Sequence, residues 1–454
     1  MNIEKIQLIN PPLDSGIKEA GYSGSFPPMG LLYLGTYLEN KYPGKHVEII
    51  DGSITPMGKI RVDGDMVGIG ALISTYNNAL KIAEKAKNKG AYVILGNDHA
   101  KNAGDLIIKN RECVDSVCNS NQGWETITSL VDYVEGRIRI SEVPGLIYRE
   151  GGKIKSNPPD YGFKDRKLIA DRNLADMEKY SENYMKIFGH LHDEKVTPAT
   201  TQMMKGCGWG NRKGCLYCGI TDIKPEHVDL DLAIKEYRYL KDKGVNFIYD
   251  ICDDVFSQTG FLKKLIENDI KINFVYGRAA GVNDKSVELL KRLGVKRINM
   301  GMESGDDRML ESLRKNNPEG VETSRKTAKL LAENWIELYT SFVLASPGET
   351  GDSLQNSVDF FRKISEYGNV VFVDPSVLIP IRGSAAWDMM MRNEKYREKH
   401  LKEDLINTEE LAQDWVEFAC PDVDYNSVKK TVDQICSIAK EKGIGIGGYG
   451  VKGC

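Results

Sequence analysis

The chain has 454 residues, of which 41% are hydrophobic and 28% charged, with a formal net charge of −4. This length predicts two or three domains, and the apolar fraction excludes a disordered tail protein. The near-neutral balance excludes the broad basic field of a nucleic-acid-binding protein. No 18 consecutive apolar residues run together, so no membrane partner is expected. The opening MNIEKIQLINPP is too short and too polar for a signal segment, and a cytoplasmic location is the expectation. Nine unevenly spaced cysteines read as reduced thiols or metal ligands, not as a disulfide framework.

In chain order, strand patterns fall at 6–10, 46–50, 66–70 and 91–95, with helical patterns at 30–41, 75–89 and 124–134. Cys113 and Cys118 bracket a short strand-like stretch, and 144–159 reads as a hairpin with its exit. This alternation predicts a doubly wound, Rossmann-like parallel sheet over 1–160, with ligands at the carboxyl ends of its strands. A polar connection over 161–196 holds the expected domain boundary. A second series then begins, with strands at 199–204, 246–252, 271–276, 297–302, 337–345 and 369–377. Helical patterns lie between them at 228–243, 258–268, 283–293, 319–334 and 352–367. Six strands with five intervening helices suit a partial (β/α)6 barrel over 197–383. Residues 384–454 read as a helical, charged C-terminal segment.

The chemistry concentrates in KGCGWGNRKGCLYCG, where Cys207, Cys215 and Cys218 are spaced C-x7-C-x2-C directly after the first strand of the second series. Glycines let such a loop wrap a cluster and bring amides towards its sulfurs. A cubane iron–sulfur cluster is normally held by four thiolates, so three would leave one iron open to an exogenous ligand. A structural zinc site needs a fourth ligand, and His227 lies beyond a Pro225 turn. A lone disulfide pair is the third reading. The spacing favours a metal site without naming the metal. Cys252, Cys420, Cys436 and Cys454 read as buried or incidental thiols, and Cys454 is the one candidate among them for an additional ligand.

In context, these residues resemble the radical S-adenosylmethionine (SAM) enzymes. Tyr217 fills the aromatic position before the last cysteine, although the family's commonest spacing is C-x3-C-x2-C. The longer GCGWGNRKGCLYCG is closer to a variant among peptide-modifying members that carry a cobalamin-binding domain. Asp253 and Asp254 resemble the end of the second-strand motif. Gly301, Met302, Glu303, Ser304 and Gly305 resemble the fourth-strand GIESG, and Pro347, Gly348, Glu349 and Thr350 the PGET turn after the fifth. The N-terminal half resembles the cobalamin-binding domain of the same enzymes through Asn10-Pro11-Pro12, Pro28-Met29-Gly30-Leu31, Gly70 and Gly96-Asn97-Asp98-His99. Asn97 stands where the family often has glycine, and the GEGE-like turn is replaced by 119–125. No D-x-H-x-x-G is present, so no histidine cobalt ligand is expected and His99 reads as a loop or turn residue.

The resemblance implies that Cys207, Cys215 and Cys218 hold a [4Fe–4S] cluster whose open iron binds SAM. It implies SAM contacts from Tyr217, Gly301, Met302, Glu303, Ser304, Arg278 and Asp253. It implies cobalamin contacts from Pro11, Pro12, Ser74, Gly96, Asn97 and Gly123. The expected activity is methylation of an unactivated carbon, through a 5′-deoxyadenosyl radical and methylcobalamin, with an electron donor such as ferredoxin or flavodoxin. A peptide or protein substrate is favoured over a small metabolite. The alternatives are a non-methylating radical SAM enzyme performing rearrangement, cleavage or cyclisation, and a metal-binding interaction protein.

Overall fold

A computed structural model of the protein describes all residues except 15–22, 160–161, 210–213, 220–223, 316–318 and 448–454. Asn211 to Lys213 of the cysteine loop and Cys454 therefore lie outside the described residues. Two compact units account for the chain: principally Met1–Ser15, Gly24–Leu191 and Lys399–Ile406 in one, and His192–Glu398 and Asn407–Cys454 in the other. No described helix is long and apolar enough to cross a membrane.

The first unit is built on strands β1 (Lys5–Asn10), β2 (His46–Asp51), β3 (Met66–Gly70), β4 (Tyr92–Gly96), β5 (Ser116–Cys118), β6 (Leu146–Glu150) and β7 (Lys153–Ser156). Their order is β2-β1-β3-β4-β5-β6-β7, parallel through β5 and antiparallel for the last two. Central strands of such a sheet are covered on both faces, so they read as apolar runs. Ile6, Leu8 and Ile9 of β1 and Met66, Val67 and Ile69 of β3 are all buried. The helix Tyr76–Lys87 turns Ala79, Ile82, Ala83 and Ala86 onto one face of this sheet. Strand order reverses between β1 and β3, which opens a crevice at their carboxyl ends.

Within the expected connection, the helix Met177–Phe188 buries Tyr180, Tyr184 and Phe188. Tyr180 donates to Asp51 Oδ2 at 2.6 Å, which ties this helix to the end of β2. His99 is also more ordered than its expected place in a loop or turn. It sits in the helix Asp98–Asn110, and its Nε2 lies 3.0 Å from the Asp404 carbonyl.

The second unit contains β8 (Pro198–Thr201), the antiparallel pair β9 (Met204–Lys205) and β10 (Glu226–His227), β11 (Phe247–Asp250), β12 (Phe274–Tyr276), β13 (Arg297–Glu303), β14 (Glu337–Leu344), β15 (Val370–Val377) and β16 (Gly445–Ile446). The main sheet runs β8-β11-β12-β13-β14-β15-β16, all parallel and with two ends, as a partial barrel requires. The seventh strand was not expected, because two residues in a glycine run carry no periodicity. Its place is set by packing: a Cβ on Gly445 would meet the Phe372 ring at 2.3 Å.

Register stacks the inner side chains of β13, β14 and β15 in layers. Asn299, Tyr339 and Phe372 form the lowest, with the Tyr339 and Phe372 rings 5.2 Å apart. Gly301, Ser341 and Asp374 form the next, followed by Val343 and Ser376. Above the aromatic pair these side chains are half-exposed, whereas Met300, Met302, Thr340 and Phe342, on the opposite side of their strands, are buried.

Candidate active site

The cysteine loop leaves β9 under firm control. Gly206 adopts φ +88, and a Cβ there would meet the Lys224 carbonyl oxygen at 2.3 Å, so only glycine fits. Gly206 N donates to Asp253 Oδ2 at 2.6 Å, and Gly208 N donates to Ser257 Oγ at 2.9 Å. Ser257 in turn donates to Asp254 Oδ2 at 2.6 Å. The two aspartates that follow β11 thus fasten the backbone on both sides of Cys207. The Asp253 oxygen nearest the loop binds protein backbone in the place where a SAM contact was expected. Cys207, Cys215 and Cys218 are not disulfide-bonded. Among the described residues, no group of three His, Cys, Asp or Glu side chains is drawn up as a metal cage.

Two cations lie in electrostatic reach of these thiols. Burial pushes the Cys215 thiol up, while the charges of Lys315 and Arg278 act against that rise. The Arg278 guanidinium lies 4.7 Å from the Trp209 ring centroid, and Trp209 Nε1 donates to the Arg314 carbonyl at 3.0 Å. Arg278 is paired with Glu319 through two hydrogen bonds, Nε to Oε1 at 3.1 Å and Nη2 to Oε2 at 2.9 Å. Its Nη1 is buried without a partner.

Glu303 is the centre of the arrangement. It ends β13 at φ +63, beyond a break in register after Gly301. Its Oε1 folds back over Gly301, where a Cβ would stand only 1.8 Å away. This explains the glycine of the motif: it makes room for the motif's own carboxylate. Tyr217 donates to that oxygen at 2.6 Å and Lys315 Nζ at 2.9 Å, with Lys315 also 2.8 Å from the Gly301 carbonyl. Burial opposes the charge of Lys315, yet Glu303 and Glu319 hold its pKa above the ordinary lysine value. Glu303 Oε2 is buried and has no partner.

In the rest of the motif, Met302 is buried and Ser304 Oγ lies 3.2 Å from Ser357 Oγ. In the PGET turn, Glu349 Oε2 accepts from Ala345 N at 3.0 Å and Ser346 N at 3.1 Å, closing the backbone after β14. Lys315, Glu319 and Asp374 escaped the sequence reading. Lys315 lies in a polar stretch between predicted elements, and Glu319 opens the helical pattern expected at 319–334, where an acid is unremarkable. Asp374 had a legible signal, a lone acid inside the apolar run of β15. Burial, then the nearby Glu303 charge, push its carboxyl up to about 6.

The first unit gathers its predicted residues at one edge. Pro11 and Pro12 follow β1, Ser74 follows β3, Gly96 ends β4, and Gly123 precedes the helix Trp124–Val134. Asn97 caps the helix Asp98–Asn110 at φ +76, ψ 174, a conformation suited to glycine, and its side chain accepts from Asp98 N. At Gly70 and Gly96 the nearest neighbouring atoms stand 3.8 Å from where a Cβ would be, so neither glycine is crowded by its surroundings. His99 is bound to the Asp404 carbonyl.

Residues 201–361 match the radical SAM superfamily, so the chain carries a radical SAM domain and is an enzyme. An uncharacterized methyltransferase of Pyrococcus horikoshii is 26% identical over 422 residues, 87% of this chain and 84% of that protein. Two solved structures share the fold. One is the cobalamin-dependent SAM radical enzyme OxsB with aqua-cobalamin bound (TM-score 0.61, 17% identity, 88% of this chain). The other is the radical SAM methyltransferase TsrM from Kitasatospora setae with cobalamin and a [4Fe–4S] cluster (TM-score 0.63, 15% identity, 86% of this chain and 75% of that one). The chain spans 57% of the length of OxsB.

Proposed function

We propose that the chain is a cobalamin-dependent radical SAM methyltransferase acting on an unactivated carbon of a peptide or protein. One observation carries this reading. A radical SAM sheet with three cysteines outside any disulfide and a buried Glu303–Lys315 pair shares its chain with a parallel sheet whose carboxyl edge carries uncrowded glycines. Both groups suit the residues present. Three thiols on an anchored loop with cations nearby form a donor set for a [4Fe–4S] cluster, and the glycine-lined edge leaves room for a bulky cofactor. When bound, the cluster and cobalamin supply the reductive cleavage of SAM and the transfer of its methyl group.

The protein's part is binding and orientation. Cys207, Cys215 and Cys218 would hold the cluster. Tyr217 and Lys315 occupy Glu303 Oε1, which would leave Oε2 to accept from the SAM ammonium. The buried, unpartnered Arg278 Nη1 suits the SAM carboxylate. Pro11, Pro12, Ser74, Gly96, Asn97 and Gly123 would border the cobalamin. The long cysteine spacing favours a peptide substrate, and an electron donor of the ferredoxin or flavodoxin type would serve in the cytoplasm.

The test is anaerobic purification from cells supplied with cobalamin, followed by iron, sulfide and corrinoid analysis. The expected result is about four irons and one corrinoid per chain. Iron without corrinoid would leave a non-methylating radical SAM enzyme. Loss of both would overturn the reading.

A further inference from the structure

Asp374 lies in the second inner layer of the sheet, level with Ser341 and Gly301 and directly above the Tyr339–Phe372 ring pair. Its Oδ1 is buried without a hydrogen-bond partner. The charged group it feels is Glu303, of its own sign. Neither nearby cation serves it: Lys315 is committed to Glu303 and the Gly301 carbonyl, and Arg278 to Glu319. Glu303 also has one oxygen, Oε2, buried and unpartnered, although the residue is only 4% exposed.

A carboxylate kept for structure is normally paired, because leaving one buried and unpaired is strongly unfavourable. Here two unpartnered carboxylate oxygens project from β13 and β15, with the small Ser341 of β14 between them. The half-exposed Ser341 and Ser376 continue a polar strip along the same face. The protein supplies no donor to either oxygen, so a molecule that enters this half-exposed face can do so in place of solvent. Two acids with no spare cation select for a positive donor over a neutral one.

We propose that Asp374 is the receptor for an ammonium group carried by a molecule bound on the inner face of this sheet. Two sources share that chemistry: SAM itself, and an amine-bearing substrate. The proposal deepens the radical SAM reading, but its amine-binding and melting measurements do not depend on a loaded cluster, and SAM affinity is compared on equally reconstituted chains.

The experiment compares the full wild-type chain with Asp374→Asn, using n-butylammonium as probe and n-butanol as the neutral control. Binding is read by saturation-transfer NMR, SAM affinity by equilibrium dialysis and stability by thermal unfolding. If a substrate amine is the natural occupant, n-butylammonium binds the wild type and binds the variant about tenfold more weakly or worse, with SAM affinity unchanged. If SAM is the source, its affinity falls by that factor instead. In both cases n-butanol does not discriminate, and the variant melts at or above the wild-type temperature, since no internal partner is lost. Equal affinities of both chains for both cations, or a lower melting temperature for the variant, would overturn the proposal. Absence of 5′-deoxyadenosine from the reconstituted wild type would instead count against the radical SAM reading, leaving the amine and melting results to be judged separately.

Discussion

The two units differ in how completely they satisfy their buried acids: the second closes Glu349 on its own backbone but leaves others wanting. In the first, acids are saturated by protein donors. Asp14 accepts from Asn77 N at 2.9 Å and Asn78 N at 2.8 Å, holding the start of the helix Tyr76–Lys87. Asp51 takes bonds from Asn10, Ser53 and Tyr180. Asp404 takes Tyr76 at 2.7 Å, Asn110 at 3.0 Å and Arg111 at 2.6 Å. In the second unit, Glu303 and Asp374 each keep a buried oxygen without a partner. The first unit therefore offers its carboxyl edge mainly through backbone and small side chains, which suits a large, weakly charged group. The second keeps directed charge in reserve, which suits small zwitterionic or cationic molecules.

That contrast can be broken most sharply at the cysteine loop. Cys215→Ala should reduce cluster iron and 5′-deoxyadenosine formation to background, read by iron analysis and by chromatography of SAM products. Full SAM cleavage by this variant would remove the radical reading altogether. Next in size is Asp404→Ala, which strands the Tyr76 hydroxyl and the Arg111 guanidinium in a site where Asp404 is 1% exposed. The expected loss is about 3–5 kcal/mol in denaturant unfolding of the full chain. Near-wild-type stability would show that these saturated acids are not structural.

The pH dependence should carry opposite signs for the two kinds of acid. Asp404 is desolvated, but Arg111, Tyr76 and Asn110 outweigh this and hold its carboxyl below the usual aspartate value. Its stabilisation is present above the unfolded pKa near 4 and is lost as pH falls through the depressed folded value. Asp374 is raised to about 6, so the unfolded chain gives up this proton first. Its contribution turns against folding as pH rises from about 4 to 6 and stays unfavourable above. Two pK units correspond to roughly 2–3 kcal/mol. Asp374→Asn should therefore stabilise the ligand-free chain at pH 7 by up to that amount and have no effect at pH 3. A pH-independent difference would contradict the assignment. The smallest effect belongs to Asn97→Gly. Relief of the left-handed backbone should outweigh the lost cap and raise stability by about 0.5–1 kcal/mol in thermal unfolding.

Much of this was legible before any coordinates, for identifiable reasons. Period-two and period-3.6 patterning located β13 and β14 to within a residue or so, since long amphipathic segments declare themselves locally. Gly206, Gly301 and the three cysteines were visible as motif because their residue types and spacing lie within short stretches of chain. Two-residue β16 was invisible, being held by the Phe372 contact and not by any pattern.

The sequence alone determined the class: two alternating α/β series, a thiol loop after the first strand of the second, and the order of the motifs. Only the tertiary structure decided the roles within them. It gave Asp253 and Glu349 backbone partners and Ser304 a partner in Ser357, brought Lys315 from a polar stretch onto Glu303, and left Asp374 facing inward with an empty oxygen. Composition and spacing record which groups a chain owns. Whether a charge is satisfied depends on partners distant in sequence, and only the packed structure specifies them.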